Sequence, residues 1–131
     1  MPRLEIGKTY TRDQINKIVG GGVQSFLPTK NGYVVCGCFK LDQNPDAPNE
    51  VLVGVGPQRE GTARLIVLQQ TPIPIFLKRE IGEWEYVGKY MGTRYLDREH
   101  RFLADEERTK KPGIAGILYM HKEPVEAEAA H

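Results

Sequence analysis

The sequence predicts an α+β protein: a small antiparallel, barrel-like sheet with one main inserted helix and a short N-terminal helix. Three observations carry this expectation. Short β-rich runs recur along the chain, at VQSFLPT, YVVCGCFKL, EVLVGV, IPIFLKR, WEYVGKYM and GIAGILYMHK. Asn31-Gly32 stands between the first two, and Asn-Gly supplies the positive φ angles that a tight hairpin turn requires. One long helical pattern, roughly residues 58–70, interrupts the runs. In a chain of 131 residues such a sheet most naturally curls into a partly closed barrel with helices at its sides.

The elements follow in order. Thr11-Arg12-Asp13-Gln14 has the capping-box form, with Thr11 as N-cap and Gln14 reaching back. Ile15, Ile18 and Val19 then follow at helical spacing, and Gly20-Gly21-Gly22 ends that helix. A hairpin built on Asn31-Gly32 comes next, and the segment DQNPDAPN after it is all turn chemistry. EVLVGV reads as a buried strand. Gly56-Pro57 opens the second helix, which buries Ala63, Ile66 and Val67 and stops at Thr71-Pro72. IPIFLKR, the turn EIGE and WEYVGKYM form a second hairpin. Residues 93–112 are charged and weakly periodic and read as a loop with a helical turn, and GIAGILYMHK is a central last strand.

Composition bounds the function classes. At 40% hydrophobic and 27% charged the chain suits a folded protein with a single core, placed at residues 1–122 with a disordered tail at 123–131. Lys and Arg number 18 against 17 for Asp and Glu, so a nucleic-acid site would have to concentrate positive charge on one side. No apolar run approaches the roughly 18 residues of a membrane span, and MPRLEIGK lacks the apolar stretch of a signal peptide. Cys36 and Cys38 are two apart on a strand, sharing a face but poorly placed to bridge one another. A reduced, cytoplasmic protein is expected.

Catalytic constellations are weak. No G-x-S-x-G and no H-E-x-x-H occurs, and Gly22-Val23-Gln24-Ser25-Phe26 fails the serine pattern at its last position. Asp42 and Asp46 lie in a proline-rich turn, where Asp is expected for local hydrogen bonding, so no metal site and no cofactor is assigned. Gly54-Val55-Gly56-Pro57 resembles a phosphate cradle at a helix start, with Arg59 and Arg64 beyond it. That loop supports an alternative reading as a small-molecule or nucleotide-binding protein. A protein–protein adaptor using the second hairpin or the acid-rich segment 97–107 is a third.

WEYVGKY points elsewhere. Strand alternation puts Trp84, Tyr86, Gly88 and Tyr90 on one face, and Gly88 leaves space for a neighbouring side chain or a ligand. Lys78, Arg79 and Lys89 lie on the same hairpin. Basic residues interleaved with aromatics are what backbone contact and base stacking require. Near the first hairpin, Gln24, Ser25 and Asn31 can meet the polar edges of bases.

QSFLPTKNGYVVCGCF, NPDAP, EVLVGVGP, IPIFLKR and WEYVGKY, in that order over roughly residues 7–92, resemble a module found ahead of HNH nuclease domains in bacterial restriction-type endonucleases. The layout IPIFLKR, WEYVGKY, GILYMHK is also similar to SRA (YDG) domains, PUA-like barrels that hold a flipped modified cytosine. The resemblance implies a DNA-binding reader selective for modified bases or backbone, without nuclease activity of its own, whose partner besides DNA would be a separate nuclease or effector. Under it Lys78, Arg79, Lys89 and Arg94 hold phosphates, Gln24, Ser25 and Asn31 meet base edges, and Trp84, Tyr86 or Tyr90 stack, with Gly88 leaving room.

Overall fold

The computed structural model describes residues 4–23, 25–97 and 113–123. Gln24, residues 98–112 of the expected loop with its acid-rich segment, and the tail from 124 onward lie outside the described residues.

A short strand β1 (Thr9–Tyr10) leads into helix α1 (Arg12–Val19). The expected capping box is present: Thr11 Oγ1 accepts from the Gln14 N–H and Gln14 Oε1 accepts from the Thr11 N–H. Strands β2 (Thr29–Lys30) and β3 (Tyr33–Val34) form the Asn31-Gly32 hairpin, with φ of 54° at Asn31 and 82° at Gly32. Both central residues are therefore left-handed, as the turn demands. Strands β4 (Gly37–Lys40) and β5 (Glu50–Gly54), helix α2 (Pro57–Gln69) and strands β6 (Ile73–Glu80), β7 (Glu83–Asp97) and β8 (Ile114–Lys122) complete the order.

The main sheet has six strands in the order β4-β6-β7-β8-β5, with β1 also paired to β7. The last strand is central, as expected, with β7 on one side and β5 on the other. Two apolar clusters occupy its faces. Val51, Val53, Ile73, Ile75, Leu77 and Leu118 pack with Ala63 and Ile66 of α2. Tyr10, Cys36, Cys38, Phe76, Trp84 and Tyr86 pack with Ile15 of α1. Hairpin β2–β3 is tied to α2 by Gln69, whose side chain accepts from the Val34 N–H at 3.0 Å and donates to the Val34 carbonyl at 2.9 Å. That amide does the work of one more ladder residue, satisfying backbone groups that would otherwise need a strand.

Three sequence expectations change. YVVCGCFKL is not one strand: β3 stays with β2, whereas β4 crosses to the main sheet and pairs parallel with β6, the one parallel pairing in that sheet among the described residues. Residues 93–97, expected as loop, continue β7 through a bulge at Thr93, whose hydroxyl donates to the Tyr119 carbonyl at 3.1 Å. The third change concerns WEYVGKY. Ile75 lies opposite Gly88 and Phe76 opposite Tyr86, which leaves Val87 as an extra, bulged residue. A bulge breaks the two-residue alternation of the strand. Trp84 and Tyr86 therefore enter the cluster beneath α1, and Tyr90 enters the one beneath α2. The four residues do not share a face.

Gly88 is bound up with that bulge. Its φ is 116°, and a Cβ there would meet Lys122 Cε at 3.1 Å. Gly88→Val is thus expected to destabilise the protein by about 1–3 kcal/mol, because a β-branched residue is forced to a glycine-only φ. A urea midpoint unchanged from wild type would show that the strand straightens without cost.

Candidate nucleic-acid interface

The edge strands β4 and β5 do not pair with each other, and Asn44 spans the seam between them. Its N–H donates to the Lys40 carbonyl at 2.9 Å and its Oδ1 accepts from the Leu52 N–H at 2.7 Å. Asn44 is the buried polar residue of the described chain, and a polar side chain is kept inside only when its hydrogen bonds are met. At this seam a cleft of about 940 Å³ opens.

Four parts of the chain wall it. The β4–β5 turn brings Lys40, Asp42 and Asn44, and β5 brings Leu52 and Gly54. Helix α2 presents Gln58, Arg59 and Thr62 from its first two turns. Arg12, Ser25, Phe26 and Trp84 close the opposite side. A second hollow, about 620 Å³ around Asn49, Glu50, Thr93, Arg94, Tyr119 and His121, also gathers an acid, a base and an aromatic, but it is a shallower surface feature.

Positive charge converges at the cleft's edge by strand register. Lys40 lies opposite Lys78 across the β4–β6 pair, and Lys78 lies opposite Trp84 across β6–β7. Directly opposed residues share a face, so two lysines and the indole form one row across the sheet. Arg12 joins them from α1: its guanidinium stands 5.2 Å from the Trp84 ring while donating to the Gly22 and Ser25 carbonyls at 3.2 and 2.9 Å. Lys78 Nζ is 5.8 Å from the same ring. Trp84 thus already has two cations against its π-system, and its surface is 6% exposed. It positions charge at the cleft and offers little area for stacking. Phe26, partly exposed on the cleft wall, is the aromatic left to pack against a base.

The other expected site residues are dispersed. Ser25 lines the cleft, and its Oγ also accepts from the Leu27 N–H. Asn31 occupies the tip of the small hairpin, where its left-handed φ explains it without a ligand. Arg79 is engaged by Glu85 at 2.6 Å. Lys89 is exposed opposite Pro74, and Arg94 stacks at 4.7 Å over Tyr119 beside the shallow hollow. Trp84 and Arg94 are ten positions apart on β7, about 30 Å at strand rise, so Arg94 lies well away from the row of Lys40, Lys78 and Trp84. Tyr86 and Tyr90 are 4% and 7% exposed and belong to the core rather than to a stacking surface.

Sequence reasoning assigned no role to Arg12 or Lys40, noted Phe26 only as an aromatic near the first hairpin, and weighed Asp42 only as a metal ligand. It also kept the Gly54–Gly56 loop, which resembles a phosphate cradle, as the basis of an alternative reading. In the fold the Gly56 N–H donates to Glu60 Oε2 at 3.1 Å. A carboxylate on the first turn fills the place an anion would take, so the helix start does not support the nucleotide-binding alternative. The two cysteines are free and buried, as expected. The Cys36 thiol donates to Cys38; this bond and burial push Cys36 up, while the same bond, aided by the Arg12 charge, pulls Cys38 down against burial. No group of three His, Cys, Asp or Glu side chains is gathered among the described residues, and no helix there is long and apolar enough to cross a membrane.

No family model matches the sequence, and no curated protein matches it. Solved structures do. The SRA domain of SUVH5 bound to hemimethylated CG DNA superposes with a TM-score of 0.63 at 14% identity, covering 95% of this chain and 91% of that one. The same domain on fully hydroxymethylated CG DNA gives 0.65 at 14% identity, covering 94% and 91%. ScoMcrA, a Type IV phosphorothioation-dependent restriction endonuclease, gives 0.55 at 17% identity over 90% of this chain and 27% of its own. The chain therefore has the fold of SRA domains, in agreement with the α+β, SRA-like layout expected from the sequence.

Proposed function

We propose that the chain is a reader of modified DNA that takes an extruded cytosine into the seam cleft and performs no bond-breaking chemistry. The observation that carries this is one carboxylate among the described residues, Asp42, set in a cleft otherwise edged by Arg12, Lys40, Arg59 and Lys78, on a fold shared with DNA-bound SRA domains. Cations fit the phosphate backbone on either side of an extruded nucleotide. A carboxylate fits the exocyclic amino group of cytosine, which carries hydrogens to donate. Base extrusion costs a few kcal/mol, which contact with the aromatic and polar walls helps to offset. The near-neutral total charge is no obstacle, since the charge is local. The likeness to ScoMcrA makes a separate or fused nuclease the natural effector of such a reader.

Competition binding tests the reading. Duplexes of one sequence bearing cytosine, 5-methylcytosine, 5-hydroxymethylcytosine or a phosphorothioate linkage are titrated at two salt concentrations. A preference for a modified duplex is expected, with log K falling against log salt at a slope of about −3 to −4 if four cations meet phosphates. Equal affinity for all duplexes, or binding insensitive to salt, sinks the proposal.

A further inference from the structure

We infer that the cleft is shaped for a cytosine whose 5-substituent is bulky and rich in hydroxyls, a hexosylated hydroxymethyl group being the chemical class. The inference rests on the reader function proposed above and concerns which modified base that site takes.

Size is the first argument. The cleft's volume of about 940 Å³ stands near the top of the roughly 300–1,000 Å³ range of pockets that enclose drug-sized ligands. Extruded bases are held in snug pockets because tight walls recover the lost stacking. One pyrimidine ring with a methyl group would leave most of this space to water, and its walls would gain few contacts.

The chemistry of the remaining wall is the second argument. A methyl group is recognised by apolar contact. Yet the α2 side of the cleft is an amide, a guanidinium and a hydroxyl: Gln58, Arg59 and Thr62. Gln58 and Thr62 are four residues apart on the helix and so lie one above the other on a single face. Thr62 Oγ1 donates to the Arg59 carbonyl at 3.0 Å, which fixes its rotor and leaves its lone pairs as acceptors. Arg59 is held across Gly54, where a Cβ would stand 3.3 Å from Arg59 Cδ, and its Nη1 reaches the Val55 carbonyl at 3.5 Å. A side chain at position 54 would crowd this arm. A neutral polyol meets such a wall with both donors and acceptors and brings no charge to desolvate. Asp42 and Asn44, on the opposite turn, remain for the base.

The test uses fluorescence anisotropy with the full chain and four duplexes of identical sequence, carrying cytosine, 5-methylcytosine, 5-hydroxymethylcytosine or glucosylated 5-hydroxymethylcytosine at one site. The glucosylated duplex is expected to bind about tenfold or more tightly than the methylated one, because a site that hydrogen-bonds hydroxyls rejects the analogue lacking them. In Gln58→Leu/Thr62→Leu protein that ratio should fall towards one, and Gln58→Ala, at an exposed helix position, serves should the double variant fold poorly. A methylated duplex bound as tightly as, or more tightly than, the glucosylated one overturns the inference while leaving the reader function intact. An undiminished ratio in both variants removes the α2 wall and overturns it equally. If neither these duplexes nor the phosphorothioate duplex exceeds plain cytosine, the reader function falls and the inference falls with it.

Discussion

Tyr86→Ala is expected to cost about 3–5 kcal/mol of unfolding free energy, the range for truncating a large buried aromatic. Against a total of about 5–15 kcal/mol for a domain of this kind, that removes a large share of the stability. The reason is specific to its neighbours. The Tyr86 ring is 5.5 Å from Phe76, and Phe76 in turn meets Tyr10 edge-on at 6.0 Å. Tyr86 also lies on the stretch of β7 that β1 and α1 cover: its N–H donates to the Lys8 carbonyl at 3.0 Å. Removing the ring leaves a cavity under α1 that neither the sheet nor a helix of eight residues can collapse to fill. Urea denaturation gives the cost directly. Duplex binding by the folded fraction should be unchanged. A variant with the wild-type midpoint but weaker DNA binding would return Tyr86 to the site and undo the assignment of this ring to the core.

Local signals account for what the sequence disclosed of the fold. The capping box at Thr11, the Asn31-Gly32 turn, Pro57 at the start of α2 and the β6–β7 hairpin are each written within a few consecutive residues, and each appears in the structure. What stayed hidden is non-local. Nothing in CGCFK says that it leaves Tyr33-Val34 to lie parallel to Ile75–Lys78, because that pairing joins residues nearly forty positions apart. The Val87 bulge is an intermediate case. A glycine inside a strand pattern marks either a bulge or a close backbone approach. Gly88 was the legible sign, and its effect on the faces of Trp84 and Tyr90 depends on register, which sequence alone does not fix.

The same division explains the site. Arg12 reads as a solvent-facing residue on the first turn of a capped helix. Only the packing of α1 on β7 brings it over Trp84 and against the Ser25 carbonyl. Lys40 looks like a strand end, and it becomes half of a basic pair once β4 finds β6. Arg79, the more prominent basic residue in the sequence, is matched by Glu85.

Asp42→Ala separates selectivity from attraction, and its two effects have opposite signs. The carboxylate is exposed in a turn, so the fold should lose no more than about 0.5 kcal/mol. If Asp42 accepts a hydrogen bond from the extruded cytosine, its loss should cost about 1–3 kcal/mol of affinity for the preferred modified duplex. Plain duplex DNA, which need not enter the cleft, should bind slightly better, because a negative charge has left an edge occupied by Arg12, Lys40 and Lys78. The preference therefore collapses from both ends while the salt slope holds, since no phosphate contact has been removed. Lys78→Ala provides the contrast: it should weaken every duplex alike and reduce the slope by about one. An Asp42→Ala protein that kept the full preference would place base recognition elsewhere on the fold, whatever the cations around the cleft do.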